Sequence, residues 1–163
     1  MTRSELSIRL ARLAEAGEIA AMSRALVEHG LRWSWRPERV AASIRNRNVH
    51  VLVARMDEQT AGFAIMRYGD DEARLDLLAV APRFRRMGVG RGLLEWLHKC
   101  VVVAGISRIF LEVRAGNGGA QAFYERMGYQ QRAHLPGYYQ GREAAIRMGR
   151  EAWPGREEGG VNV

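Results

Sequence analysis

The chain has 163 residues, 47% hydrophobic and 26% charged, which suits one globular domain and excludes extended disorder. Its one cysteine, Cys100, leaves no intramolecular disulfide, and His29, His50, His98 and His134 lack metal-ligand spacing, so no metal is expected. The net charge of +7 would draw a nucleic acid, a ribosome or a phosphorylated cofactor alike and chooses none of them.

Arg3, Glu5, Arg9 and Arg12 interrupt the amino end as a secretory signal would not, and the apolar run 100–106 is far shorter than the ~20 residues of a membrane span. A cytoplasmic protein with no membrane partner is expected. Leu6, Ile8 and Leu10 alternate as in a half-buried strand, and Ile19, Met22, Leu26 and Val27 recur at helical spacing within a helix predicted over 14–29, which Gly30 stops. Pro37 suits the first turn of a short helix to about residue 46. Strand-like runs at 49–56, 61–68 and 73–80, divided by short polar turns, read as an antiparallel meander. Val89, Leu93, Trp96, Leu97, Cys100, Val101 and Ala104 share one helix face, closed by Gly105. A strand at 109–113, a helix at 119–127 and strands at 129–133 and 143–148 follow, and the tail from 154 reads as frayed. The fold class is α+β, a mixed sheet with helices packed on it, in a single domain over 1–153.

The most informative stretch runs from a strand ending at Val80-Ala81-Pro82 through Arg83-Phe84-Arg85-Arg86-Met87-Gly88-Val89-Gly90 into a helix. Glycines at 88 and 90 let successive N–H groups face one point, the helix adds its positive end, and the arginines suit a diphosphate. A dinucleotide fold wants its third glycine at 93, where Leu93 stands, and a P-loop wants lysine and a hydroxyl residue after Gly92. The plainer alternative is a tight turn with arginines in solvent.

The pattern Arg85-x-x-Gly88-x-Gly90, preceded by Leu-Ala-Val-x-Pro, resembles the coenzyme A signature of the GNAT N-acetyltransferase superfamily. The resemblance continues through Leu111-Glu112-Val113-Arg114-Ala115-x-Asn117 and Ala120-x-x-Phe123-Tyr124-Glu125-x-x-Gly128-Tyr129, covering about 75–148. It implies a central, mostly antiparallel sheet of about seven strands, splayed between the fourth and fifth, with four helices. It also implies acetyl-coenzyme A as co-substrate, its pyrophosphate on the amides of Met87, Gly88, Val89, Gly90 and Arg91 beside Arg85 and Arg86, and its pantetheine arm along Leu78, Ala79 and Val80. Asn117 and Phe123 would contact it from the other side.

Acetyl transfer needs a neutral amine, a site for its proton, a stabilised oxyanion and a proton for the thiolate. A backbone N–H near Val80 would polarise the thioester. Glu112 interrupts an apolar strand, and desolvation beside Phe110 and Val113 should raise its proton affinity, making it the candidate base; otherwise alternation points it at solvent or at Arg108 or Arg114. Asp76 and water are the other candidates. Tyr124 is the candidate acid, at a position where the superfamily commonly places one. Cys100 lies on an apolar helix face, which argues for direct transfer rather than an acetyl-cysteine.

Within the superfamily the chain is most similar to the bacterial ribosomal-protein-alanine N-acetyltransferases. That implies a protein N-terminal α-amine as acceptor, bordered by Tyr138 or Tyr139 on the loop between the last two strands. Trp33-Ser34 matches part of an aromatic-Pro-Trp-Ser element, with Leu31 and Arg32 departing from it. A small or antibiotic-like amine and a non-catalytic coenzyme A module stay open, as do monomer and homodimer. A basic RNA-binding protein finds no stacking motif to support it.

Overall fold

A computed structural model describes residues 5–152. The elements are β1 (Ser7–Leu10), α1 (Ala16–Leu26), α2 (Pro37–Arg45), β2 (Val49–Met56), β3 (Gln59–Tyr68), β4 (Glu72–Val80), α3 (Val89–Val103), β5 (Arg108–Arg114), α4 (Gly118–Arg126), β6 (Gln130–Tyr139) and β7 (Glu143–Glu151), with 3-10 turns at Leu13–Glu15 and Pro82–Phe84. The strands form one sheet in the order β1-β2-β3-β4-β5-β7-β6, so the expected mixed seven-stranded sheet with four helices is the fold. The domain limit at 153 and the tail beyond it lie outside the described residues.

Two cores flank the sheet. Leu93, Leu94, Leu97 and Val101 of α3 bury against Leu52, Met66, Leu75, Ile109 and Leu111 on one face. On the other, Ile19 of α1 and Val40 of α2 bury against Val51, Val53, Phe63, Ile65 and Leu77. A fully buried side chain of this size contributes roughly 1.5–3 kcal/mol, so these two faces fix the strand register. Between them β4 changes sides: Ile65 pairs with Leu77 and Met66 with Leu75, leaving Asp76 as the extra residue of a bulge. Leu75 and Leu77 therefore enter opposite cores, and Asp76 is displaced toward the open half of the sheet.

The parallel pair is β4 and β5, joined by the α3 crossover. It holds for only three pairs, Glu72 with Arg108, Ala73 with Ile109 and Arg74 with Phe110, and then the strands part. Beyond that point β5 stays paired with β7 as far as Arg114 and Ala145. This is the expected splay.

Two predicted elements differ. The helix predicted over 14–29 ends at Leu26, because the chain turns to bring the Glu28 carboxylate back onto Ser23 Oγ (2.9 Å), Ser34 Oγ (2.6 Å) and the backbone N–H of Ser34 (2.7 Å). The strand predicted over 129–133 runs on to Tyr139, so Tyr138 and Tyr139 belong to β6 and not to the loop after it; Tyr139 pairs with Glu143. A register shift between Leu135 and Tyr139 absorbs Pro136 and Gly137. Pro136 is tolerated because β6 is an edge strand, where a missing N–H need cost no ladder bond.

His98 Nε2 on α3 lies 2.8 Å from Tyr129 Oη. Burial, and then the charge of Arg150, push its pKa down to about 4 from 6.5. The unfolded chain therefore binds a proton between about pH 6.5 and 4 that the folded chain does not, and stability should fall as pH drops through that window. Denaturant midpoints taken from pH 7.5 to 4.5 should show this decline, flattened in His98→Gln. An unchanged profile in the variant would assign the decline to other groups.

Candidate active site

Phe84, 3% exposed, anchors the turn between β4 and α3 in the core, while Met87 stands 56% exposed above it. Arg86 (φ 62°) and Gly88 (φ 79°) adopt left-handed conformations, which swing neighbouring N–H groups toward one side. Among the described residues, none of the six backbone N–H groups from 86 to 91 donates to a backbone or side-chain acceptor; the helical ladder starts with Gly92 N–H to Gly88 O at 2.9 Å. With the positive end of α3 behind it, this turn has the free donors and the field that an anion requires. A Cβ on Gly90 would meet the Phe123 ring at 3.2 Å and Val80 Cγ2 at 3.6 Å, so glycine there lets α4 close on α3 beside the site.

Ala81 donates its N–H to Ala61 O, back toward β3. By strand alternation the N–H and C=O of Val80, and of Leu78 before it, face the other way, into the gap that β5 has vacated. Arg85 Nε donates to Val80 O at 3.3 Å, so this arginine caps the strand end instead of reaching toward the turn. Arg91 is also turned aside, onto Glu95 at 2.8 Å along the helix. Asn117 uses Oδ1 to cap α4, accepting from Ala120 N–H at 3.1 Å, while its amide nitrogen makes no hydrogen bond among the described residues.

Glu112 stands in a setting different from the apolar one expected. Its Oε1 accepts from Arg74 Nη2 (2.6 Å) and from Arg147 Nη2 (2.9 Å) and Nε (3.1 Å), and neither partner is Arg108 or Arg114. Register explains this: Arg74 pairs with Phe110 on the strand to one side, and Arg147 stands directly opposite Glu112 on the other. Both guanidinium groups also lie over the Phe110 ring, at 5.1 and 5.8 Å. Oε2 has no hydrogen-bond partner among the described residues. One oxygen is thus anchored and the other open. Asp76, the other carboxylate, is held bidentate by Arg67 at 2.5 and 2.9 Å.

Tyr124, 6% exposed, packs against Phe123 and Tyr129 with ring centroids 5.1 and 5.5 Å away. Burial, and then Tyr139, push its phenol above its ordinary pKa, so it stays protonated at neutral pH. Tyr138 Oη accepts from Arg74 Nη2 at 2.7 Å, which ties it to Glu112 through one guanidinium. The Tyr139 ring packs at 5.0 Å from that of Tyr138, and burial followed by the neighbouring Tyr138 and Glu112 raises its phenol too. Trp33 stands apart from this group, its ring flanked by Arg24 and Arg36 at 5.0 and 4.7 Å, with Nε1 buried and without a partner among the described residues. Burial likewise raises the Cys100 thiol, which argues against a thiolate nucleophile.

Residues 18–129 match the acetyltransferase (GNAT) family. The chain belongs to that family. The [ribosomal protein bS18]-alanine N-acetyltransferase of Escherichia coli K12 is 37% identical over 123 residues, 74% of this chain and 81% of that protein. The enzyme of that name from Salmonella typhimurium is 43% identical over 95 residues, 56% of this chain; the chain spans 64% of its length. The crystal structure of the Escherichia coli ribosomal-protein-S18-alanine N-acetyltransferase superposes with a TM-score of 0.76 at 30% identity, covering 94% of this chain and 98% of that one.

In this GNAT chain two features around the β6–β7 turn were not found from sequence. Arg114 Nη2 donates to Val27 O and His29 O, both at 2.8 Å, and Gln140 and Arg32 exchange bonds of 2.8 and 2.9 Å. These contacts clasp the 27–36 loop to the end of β5 and to the β6–β7 turn. Their partners are backbone groups 85 to 108 positions away, which sequence spacing cannot reveal. The arginines on Glu112 did leave a trace: Arg74 and Arg147 each interrupt an apolar strand, as Glu112 does.

Proposed function

We propose that the protein is a cytoplasmic acetyl-coenzyme A-dependent N-acetyltransferase whose acceptor is the α-amine of a protein N-terminus. The observation that carries the cofactor half is the run of free N–H groups at 86–91 opening onto the gap between β4 and β5. Its donors and its positive helix end fit a pyrophosphate, and the outward-facing groups of Leu78 and Val80 fit an extended amide-bearing arm. Coenzyme A supplies an acetyl thioester, an activated acyl group. The rest is done by the chain: the Val80 N–H is oriented to receive an oxyanion, Glu112 Oε2 accepts the amine's proton directly or through water, and Tyr124 Oη donates toward the leaving sulfur. The protein acceptor is supported by the 37% identity to an enzyme named for a ribosomal-protein alanine.

The test is thiol release from acetyl-coenzyme A with peptides beginning in alanine, serine or methionine, against polyamines. Peptide turnover with a mass gain at the N-terminus is expected; turnover of polyamines alone would remove the protein acceptor. Because an α-amine of pKa ~7.8 is partly neutral already, Glu112→Gln should lower kcat/KM only ~10- to 100-fold at pH 7. The deficit should narrow toward pH 9, where the amine is neutral without help. A deficit independent of pH would assign Glu112 to structure.

A further inference from the structure

Arg74 occupies the point where the sheet opens. It is the last residue of β4 to pair with β5, opposite Phe110, and Glu112 stands two residues further along β5, beyond that pairing. One guanidinium nitrogen, Nη2, donates both to Glu112 Oε1 at 2.6 Å and to Tyr138 Oη at 2.7 Å, which accounts for both protons that this nitrogen carries. Nε lies 3.5 Å from Asp76 Oδ1, and the guanidinium rests over the Phe110 ring at 5.1 Å. The group is thereby held by the strands on both sides of the opening.

A guanidinium donates and never accepts, so the sense of both bonds is fixed. Oε1 of Glu112 and Oη of Tyr138 must accept, which leaves Oε2 of the carboxylate with its lone pairs and the phenol with its proton. Neither has a hydrogen-bond partner among the described residues. Tyr138 has little else to hold it. It belongs to the edge strand β6, within the stretch between Leu135 and Tyr139 that pairs with no residue of β7, and it is 40% exposed. In the order β4-β5-β7-β6 it lies three strands from Arg74, ~14 Å at the usual separation, so both side chains lean across the sheet to meet beside Glu112.

Resting on the acetyl-transfer reading above, we infer that Arg74 is a positioning residue, which draws Tyr138 in from the edge of the sheet and leaves its hydroxyl proton free to donate to the acceptor beside Glu112. Arg147 supplies the contrast. It holds the same Glu112 oxygen through Nη2 and Nε, yet no hydrogen bond joins it to Tyr138 among the described residues. The hold on Glu112 is therefore shared by two arginines, and the hold on Tyr138 belongs to Arg74. Loss of Arg74 still leaves each acid a partner, because Arg67 keeps Asp76 through two bonds and Arg147 keeps Glu112. What is lost is the placement of Tyr138.

Steady-state rates on a peptide beginning in alanine, with acetyl-coenzyme A varied separately, test this. Arg74→Met should lower kcat/KM for the peptide at least ~10-fold and leave KM for acetyl-coenzyme A within about twofold, whereas Arg147→Met should cost about threefold or less. Added to Tyr138→Phe, Arg74→Met should cost under about threefold more, because the task that remains is one Arg147 also performs. Melting temperatures establish that the variants fold. Arg74→Gln, too short to bridge to Tyr138, takes the place of Arg74→Met in the same comparisons if methionine does not fold. Equal losses from Arg74→Met and Arg147→Met, or a loss that persists undiminished on the Tyr138→Phe background, overturn the inference and leave acetyl transfer standing. Failure of the wild type to acetylate any amine overturns both readings.

Discussion

Tyr124→Phe is expected to lower kcat ~100- to 1,000-fold while leaving KM for acetyl-coenzyme A nearly unchanged. The substitution keeps the ring that packs against Phe123 and Tyr129, so the loss isolates the hydroxyl, which has no partner to abandon among the described residues. Burial raises the phenol further above an ordinary thiol of pKa ~8.5, so its proton favours staying on oxygen. Its contribution is therefore a short hydrogen bond to sulfur as charge develops there, stronger in the transition state than before it. Initial rates at saturating peptide, with melting temperatures to confirm the fold, measure this. A kcat within threefold of wild type would remove Tyr124 from the chemistry.

The glycine turn proposed for the cofactor was legible as a turn because its signals are local. Gly88 and Gly90 sit within a few residues of the N–H groups they expose, and the helix that follows is apolar on one face over its whole length. The meander of β2, β3 and β4 was equally plain, since both cores press alternating side chains into register. The surroundings of Glu112 and Tyr139 were not, because their contacts join distant strands. Alternation could place Glu112 on the polar face, but only the β5–β7 register brings Arg147 opposite it. The early end of α1 depends on Glu28 capturing Ser34, and the extension of β6 through Pro136 depends on its being an edge. Neither event is written in periodicity.

This division also assigns different consequences to substitutions on the two sides. The turn at 86–91 presents backbone groups, so a side-chain change there should act through conformation, whereas in the proposed roles Glu112 and Tyr124 would act through their own side-chain atoms. The arginines Arg85 and Arg91, engaged with Val80 O and Glu95, should matter less to anion binding than Gly88.

Gly88→Val tests that ordering and should weaken coenzyme A binding ~100-fold. At φ 79° a β-branched residue is strained by roughly 1–3 kcal/mol, and relief of that strain rotates the flanking amides away from their common focus. No Cβ clash contributes, because nothing lies within 4 Å of where it would point; conformation alone is at issue. Gly88→Asn supplies the contrast, since asparagine visits the left-handed region far more readily. At a ligand concentration one hundred times its Kd the wild type should gain ~2.7 kcal/mol of stability. Gly88→Val should lose most of that gain and Gly88→Asn keep most of it, as read by melting with and without coenzyme A. If valine at this position preserves the full ligand-induced stabilisation, the amides at 86–91 are not what holds the pyrophosphate, and the anion site must be sought among the arginine side chains instead.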